Sequence, residues 1–335
     1  MLTSIHIQGF KGFKDTLIAP MRKVNLILGG QNVGKTSLLE AVYLGASDIN
    51  NFKRLPALFR LVEGGDSQRY LQSVLGKKAK WLVDLASDKA KVLRTTNSSN
   101  SDRSVFFDSS RIEVDSRSFN RFLKDENIQW EVEIRRKISV ERSVKEILFL
   151  NPLSLSVHLP SQLDVARLFD TAVMLRKKKT LLDMLRRIDP RLEDMHSLSP
   201  DGEQRIYVEL EGNGEALPLP QLGHGFSRLV HLYCSLLVTD AKLALIDEVE
   251  NGIHYSSLPT LFQGIQDIAA KHDVQTLMTT HSLDCIRAAY KTFADAGNLQ
   301  DFQLIRLERD GDNIRAVVIN DEMLETVMEA GYEVR

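Results

Sequence analysis

Residues 3–10, TSIHIQGF, alternate apolar and polar positions with a period of two, and residues 23–29, KVNLILG, form a short apolar run of strand character. The segment between them, KGFKDTLIAPMR, reads as a hairpin-like link. After Gly29 the period changes, and Leu38, Leu39 and Val42 fall on one side of a helix that runs to about Leu44. Residues 48–78 are mixed, with LPALFRLV and RYLQSVLG as short helical candidates. Strand-like segments follow: KWLVDLA, RSVFFDSSRIEV, QWEVEIRRKISV and EILFLN, interrupted by the polar loop TTNSSNSDRS. This group predicts an antiparallel sheet beside a parallel core.

From Asp164 the pattern is helical through Ile188 and is halted by Asp189-Pro190. QRIYVELEG is then a strand, SRLVHLYCSLLVTDA a buried helix and KLALIDE a buried strand. The alternation continues with a helix in SSLPTLFQGIQDIAAKH, a strand in VQTLMTTHS and a helix in LDCIRAAYKTFADAG. The tail pairs FQLIRLERDGD with NIRAVVIN around a D-G-D-N turn. Strand–helix alternation on both sides of a long insertion predicts an α/β fold with a split core. The pattern contains no internal repeat and no sustained heptad run.

The junction between the second strand and the first helix reads GGQNVGKT. Gly29, Gly34, Lys35 and Thr36 fill the spacing G-x-x-x-x-G-K-[ST] of a phosphate loop. Its glycines let backbone N–H groups turn inward around phosphates, and the following helix adds its positive N-terminus. Lys35 is placed to reach β/γ-phosphates and the Thr36 hydroxyl to hold Mg²⁺. A chance match in a glycine turn is the alternative, and the strand before and helix after speak against it.

Three further segments carry chemistry. In LALIDEVENGIH, adjacent acids end an apolar strand and point to opposite sides, which permits two separate tasks. Asp247 is the candidate Mg²⁺ ligand and Glu248 the candidate carboxylate that polarises an attacking water. Apolar strands ending in Asp-Glu are common at surface turns; pairing with an upstream phosphate loop is what gives this one meaning. TLMTTHS ends in His281, whose imidazole can hydrogen-bond near a γ-phosphate, although a lone histidine is more often structural. In QLGHGFSRLVHLY, Gly223, His224 and Gly225 open a helix whose N-terminus can receive an anion, with Arg228 one turn inside.

Composition narrows these readings. The chain has 335 residues, 26% of them charged, and a formal net charge of −2. That suits a globular protein with a substantial core, and it gives DNA binding no support from the bulk surface. Arg176 to Lys179 with Arg186 and Arg187 form the most basic stretch, either a solvated helix face or a surface for an acidic or nucleic-acid partner. Cys234 and Cys285 both lie in apolar helical patterns, so a disulfide framework is not expected and a reducing cytoplasm is. The N-terminus has no signal-peptide pattern, and no apolar run approaches the length needed to span a membrane.

The order of phosphate loop, long insertion, glycine signature, Asp-Glu strand and His strand resembles that of ABC-type ATPase heads. Within these, IHIQGFKGFKD, LGGQNVGKTSLLEAV, LIDEVENGIHYSSLPTLF and MTTHSLDCI are similar to the OLD and RecF-like branch, which is grouped with AAA-type ATPases. The resemblance implies one ABC-type head over 1–335, with a mixed nucleotide-binding core sheet, an antiparallel β subdomain and a helical lobe. Its parts are an N-terminal lobe at 1–163, a helical and signature lobe at 164–222 and a C-terminal core at 223–335.

By the same resemblance, ATP and Mg²⁺ are the expected ligands, and Gly29, Asn32, Gly34, Lys35 and Thr36 contact phosphates with Ser37 in support. Lys11 falls where these heads place a basic residue near the nucleotide, Gln162 is the candidate glutamine-loop residue, and His254 falls at the dimer seam. Gly223, Gly225 and Arg228 are expected to face outward and to meet the γ-phosphate of a second subunit in a head-to-tail homodimer. Transporters read Leu-Ser-Gly-Gly-Gln where this chain has Leu222 to Phe226, so Arg228 or backbone N–H groups must replace the missing serine. Family members often carry a C-terminal nuclease; here Ser282 to Arg335 lack its clustered acids, which points to a separate effector, a nuclease or toxin in phage defence. A RecF-like DNA-repair clamp and a nucleotide-gated scaffold with little turnover are the alternatives.

Overall fold

The computed structural model describes residues 1–46, 81–87, 93–97, 104–108, 112–115, 134–136, 147–150, 162–239 and 241–319. The helical candidates at 55–62 and 69–76 lie outside the described residues. In chain order the N-terminal part contains β1 (Leu2–Phe10), β2 (Phe13–Ile18), β3 (Val24–Leu28), α1 (Lys35–Ala46), β4 (Trp81–Ser87) and β5 (Leu93–Asn97). It continues with β6 (Ser104–Asp108), β7 (Ile112–Asp115), β8 (Ile134–Arg136) and β9 (Ile147–Leu150). The middle holds α2 (Gln162–Met174), α3 (Lys178–Leu185), β10 (Leu192–Leu198), β11 (Arg205–Leu210), β12 (Leu217–Pro218) and α4 (His224–Val238). The rest is β13 (Leu243–Ile246), α5 (Leu258–His272), β14 (Gln275–Thr279), α6 (Leu283–Asp295), β15 (Phe302–Asp310) and β16 (Asn313–Ile319).

Among the described residues the strands form three sheets. The central one runs β16-β15-β3-β14-β13-β9, parallel except for the hairpin partner β16. β3 and β13 are apolar at every position but Asn25 and are buried throughout, because both faces are covered. The period of two sorts the side chains of the sheet. Val24, Leu26, Leu28, Ala244, Ile246, Met278 and Leu304 enter the core under α4, α5 and α6, whereas Ile27, Leu243, Leu245, Leu277, Ile305 and Leu307 enter the core shared with α1, β1 and β2. A second sheet, β2-β1-β4-β5-β6-β7-β8, is antiparallel throughout, and a third, β10-β11-β12, packs with the helices α2 and α3 beside α4.

Polar side chains join the first two sheets. The amide of Gln275 on β14 accepts from Leu2 N at 2.7 Å and donates to Leu2 O at 2.9 Å, replacing a ladder bond between β1 and the core. On the far side Asn313 accepts from Lys14 N and Asp15 N and donates to Asp15 O, which fastens the β15–β16 hairpin to β2. The turn of that hairpin places Gly311 at φ 57°, the conformation a two-residue connection demands.

The architecture is the α/β arrangement expected, and three local expectations need correction. Within EILFLN, Ile147–Leu150 form β9, which pairs in parallel with β13 and belongs to the core sheet, not to the antiparallel group. The first residues of TTNSSNSDRS extend β5, where Thr95 and Thr96 pair with β4 and β6, a place where β-branched side chains fit. The helix from Asp164 to Ile188 is two helices. Arg176 adopts φ 57°, and Arg176 N→Val173 O and Lys177 N→Ala172 O close the helix end in a Schellman pattern without glycine.

The basic stretch is largely tied down by this geometry. Lys177 donates to Leu237 O, Lys178 pairs with Asp194, Arg186 bonds the Leu192 and Glu193 carbonyls, and Arg187 pairs with Asp267. These cations brace the helical lobe.

Candidate active site

Three parallel strands, β13, β14 and β3, end side by side, and the site is built at their C-terminal ends, where parallel α/β sheets place ligands. β3 delivers the glycine loop. Gly29 lies at φ 148° and Gly34 at φ 100°, and a Cβ on Gly29 would stand 2.6 Å from Leu307 O. No side chain fits there, so the loop can lie flat against β15. Asn32 at φ 56° completes the turn, and Leu38 N→Gly34 O starts α1. The expected helix to Leu44 extends to Ala46.

Lys35, the first residue of α1, is 5% exposed, and its amine donates to Gly29 O at 2.7 Å and Gly30 O at 2.8 Å. Burial pulls its pKa below the usual lysine value, and the negative charges of Asp247, Glu248 and Glu250 oppose that shift. Next to it, Thr36 Oγ1 donates to Asp247 Oδ2 at 2.9 Å.

Asp247 directly follows β13 and is 1% exposed. Its other oxygen, Oδ1, accepts from Thr279 Oγ1 at 2.5 Å. The same Thr279 hydroxyl accepts from Glu248 N at 2.8 Å, and Val249 N bonds Thr279 O. One threonine at the end of β14 thus fixes both acids. Thr280 N→Ile27 O links the following residue to β3, the strand that carries the glycine loop. His281 comes next, its N–H donating to Glu250 Oε1 at 2.7 Å.

Glu248 sits at φ 50°, a left-handed conformation that is strained for a non-glycine residue. Its carboxylate accepts from Asn251 Nδ2 at 3.2 Å, and its carbonyl accepts from Asn251 N and from Arg228 Nη2. Around these groups lies a cavity of about 760 Å³, lined by Asn32, Gly34, Lys35, Thr36 and Ser37 from the loop and by Glu248, Glu250, Asn251 and His281 opposite.

The structure therefore brings together, around one cavity, Asn32, Gly34, Lys35, Thr36 and Ser37 of the loop with Glu248 and His281; Gly29 does not line it but accepts from the Lys35 amine, and the buried Asp247 is bonded to Thr36. The Thr36 hydroxyl and the Asp247 carboxylate are a hard-oxygen pair of the kind Mg²⁺ takes alongside phosphate oxygens and water. Among the described residues no group of three or more His, Cys, Asp or Glu is placed to hold a metal ion.

Other expectations are not met in the same way. Lys11, at φ 50° in the β1–β2 turn, directs its amine to the buried carboxylate of Glu40 on α1 and over the Phe10 ring, and it does not line the cavity. Gln162 opens α2, and its side chain lies outside the described residues. Arg228 was expected to face outward; it is 5% exposed and turned to Glu248 of its own chain. Burial pushes its pKa down to about 10, against the opposing charges of Glu250 and Glu248, and it stays a cation at neutral pH.

Gly223 (φ 93°) and His224 are exposed at the start of α4, while a Cβ on Gly225 would stand 3.0 Å from Gly252 O. His254 is exposed and caps the turn at Ser256. Thr279, Glu250 and Asn251 escaped the sequence reading. For Thr279 the only signal was its position at the end of an apolar strand adjacent to the acidic one.

Comparison with known proteins agrees with this geometry. Residues 24–285 match the family model described as "AAA domain, putative AbiEii toxin, Type IV TA system". A protein of Helicobacter pylori named "ATP/GTP phosphatase" is 23% identical over 370 residues, covering 97% of this chain and all of that protein. Among solved structures, an SMC head bound to the C-terminal winged-helix domain of ScpA superposes with a TM-score of 0.60 at 11% identity, covering 97% of this chain and 99% of that one. The SMC head domain from Thermotoga maritima gives 0.54 at 13% identity, covering 95% and 99%. At such identities the likeness is one of fold, that of an ABC-type ATPase head. With the family model spanning most of its length, the chain belongs to this AAA family of ATPases.

Proposed function

We propose that the chain is the ATP-hydrolysing head of a head-to-tail homodimer, of the OLD and RecF-like branch, that controls a separate protein effector. The observation that carries the reading is the Asp247 carboxylate, held between Thr36 of the glycine loop and Thr279 of the neighbouring strand, with Glu248 facing the same cavity. Gly29, Asn32 and Gly34 would present backbone N–H groups to the triphosphate, Ser37 would add a hydroxyl, and Lys35 would exchange its two carbonyl partners for β/γ-oxygens. Thr36 and Asp247 would hold Mg²⁺, Asp247 largely through water. Held there, Mg²⁺ would supply electrostatic stabilisation of negative charge on the phosphate oxygens.

Glu248 would orient a water in line with the γ-phosphorus and take its proton as the new P–O bond forms, releasing ADP and phosphate. Its left-handed backbone directs the carboxylate into the cavity beside His281, which would hydrogen-bond the γ-phosphoryl oxygens. The exposed start of α4 at Gly223 and His224 would complete the site of a second copy, each subunit supplying what the other lacks. The family description names a toxin of toxin–antitoxin systems, which suits an effector-controlling role in phage defence. A DNA-clamp role draws no support from the net charge of −2 or from the basic stretch, most of which is engaged internally. Among the described residues no helix is long and apolar enough to cross a membrane.

Glu248→Gln tests the reading. It keeps the Asn251 contact and removes the charge that accepts the proton. ATP should bind as before, steady-state phosphate release should fall about 10²-fold or more, and an ATP-bound dimer should accumulate on size-exclusion chromatography. Turnover at the wild-type rate would remove Glu248 from the chemistry.

A further inference from the structure

Arg228 is unusual among the side chains near the cavity. It is 5% exposed, it lies in the second turn of α4, and its Nη2 donates to Glu248 O at 2.9 Å. Its stem runs past Gly252, whose added Cβ would stand 3.6 Å from Arg228 Cδ. Its Nε is buried with no hydrogen-bond partner, and so is Oε2 of Glu250, the residue whose other oxygen holds His281 N–H. Buried, charged and incompletely bonded groups of opposite sign are costly to keep unless the position matters.

What Arg228 holds is the backbone of the candidate water-activating residue in a conformation it does not prefer. Glu248 at φ 50° is fixed through its N–H by Thr279 and through its carbonyl by Arg228 and Asn251. A non-glycine residue keeps that conformation only when its surroundings over-determine it. Resting on the ATPase reading given above, we propose that Arg228 is a positioning residue acting within its own chain. It couples the N-terminal turns of α4 to the Glu248 carboxylate, and it does not contact the phosphate of a second subunit. A shift of α4 when a second copy seats against Gly223 and His224 is transmitted through the guanidinium to Glu248, so docking and water activation become one event.

The test compares binding with turnover. Arg228→Ala should leave the ATP dissociation constant within about threefold and lower kcat at least tenfold. Arg228→Lys, which retains one cationic donor, should fall between, and millimolar guanidinium should restore part of the activity of Arg228→Ala but not of Glu248→Gln. Should Arg228→Ala be unfolded at the assay temperature by thermal melt, Arg228→Lys carries the comparison. Mixing sharpens it. A Lys35→Ala chain combined with an Arg228→Ala chain should recover no turnover, because the only intact glycine loop then sits with a mispositioned Glu248.

Unchanged kcat, loss confined to ATP affinity, or recovery on mixing would overturn the proposal, the last by showing that Arg228 acts across the dimer. Full activity of Glu248→Gln would instead remove the reading on which the proposal rests.

Discussion

Two regions, a floor formed by Lys35, Thr36, Asp247 and Thr279 and an exposed surface rim at the start of α4, are built in opposite ways. On the floor these groups bond one another or the backbone: Lys35 to two carbonyls, Thr36 to Asp247, Asp247 to Thr279, and Glu248 N to the same hydroxyl. At the rim, Gly223 and His224 are exposed, the helix carries no side-chain cap, and Gly225 only touches the Gly252 loop. A binding site needs preorganised groups, and the floor has them within one chain. On the proposed reading, one chain would suffice to hold a nucleotide and a second copy would be needed to close over it.

The largest effect should come from breaking the floor. Lys35→Ala removes the cation that meets the β/γ-phosphates, and truncating one side of a buried charge contact costs about 2–5 kcal/mol. ATP affinity by calorimetry should fall at least about 30-fold by that scale. The fold should not suffer. Burial already disfavours the charged amine, so its removal takes away a desolvated cation rather than a packing element, and the thermal midpoint should be unchanged or slightly raised. Unchanged affinity would sink the assignment of the loop.

A charge placed on the rim should leave binding alone and stop turnover. Gly225 is a poor place for it, since a side chain there presses on the Gly252 carbonyl. His224 is exposed in the first turn of α4, and an aspartate at that end of a helix is favourable to the helix itself. His224→Asp should therefore fold normally, bind ATP within about threefold and hydrolyse it at least tenfold more slowly, because the carboxylate repels an incoming γ-phosphate. Mixed in equal amounts with Lys35→Ala, it should recover roughly a quarter of wild-type turnover, one sound site in each mixed dimer. No recovery, with mixed dimers verified by cross-linking, would mean that the two halves are not shared.

The same contrast explains what could be read in the sequence. That the glycine loop, Asp247, Glu248 and His281 would fall close together was legible because the motifs depend on spacing along the chain and on the ends of apolar strands. The α/β alternation was legible because strands buried on two faces read as apolar runs. The direction of Arg228 was not, since one turn inside a helix is equally compatible with facing out or in. It was decided by where the Gly252 loop falls, a tertiary fact. Lys11 failed for a similar reason: its partner Glu40 lies on a helix face that no local pattern connects to the β1–β2 turn. The break at Arg176 carried no glycine or proline signal, and the edge strand β9 was grouped by sequence order with neighbours it does not pair with.

The smallest predicted effect concerns the residue that the sequence concealed. Thr279 belongs to the floor yet would contact neither nucleotide nor water; its hydroxyl donates to Asp247 Oδ1 and accepts from Glu248 N. Thr279→Val keeps the shape and the β-branched fit to the strand while removing both bonds. Two buried groups lose a partner, which costs about 1–3 kcal/mol each when nothing replaces it, and some relief is expected because Asp247 keeps Thr36 as a donor. The expected outcome is a modest loss of thermal stability, ATP affinity within about twofold and a kcat reduced about tenfold, on the scale of one lost hydrogen bond to a charged group. Thr279→Ser, which restores the hydroxyl without the methyl, should return most of the rate. If Thr279→Val weakens ATP binding as much as Lys35→Ala does, the division between a binding floor and a closing rim is drawn in the wrong place. If Thr279→Val lowers kcat and Thr279→Ser restores it, the acids at the end of β13 act as a unit whose geometry is set by the strand beside them.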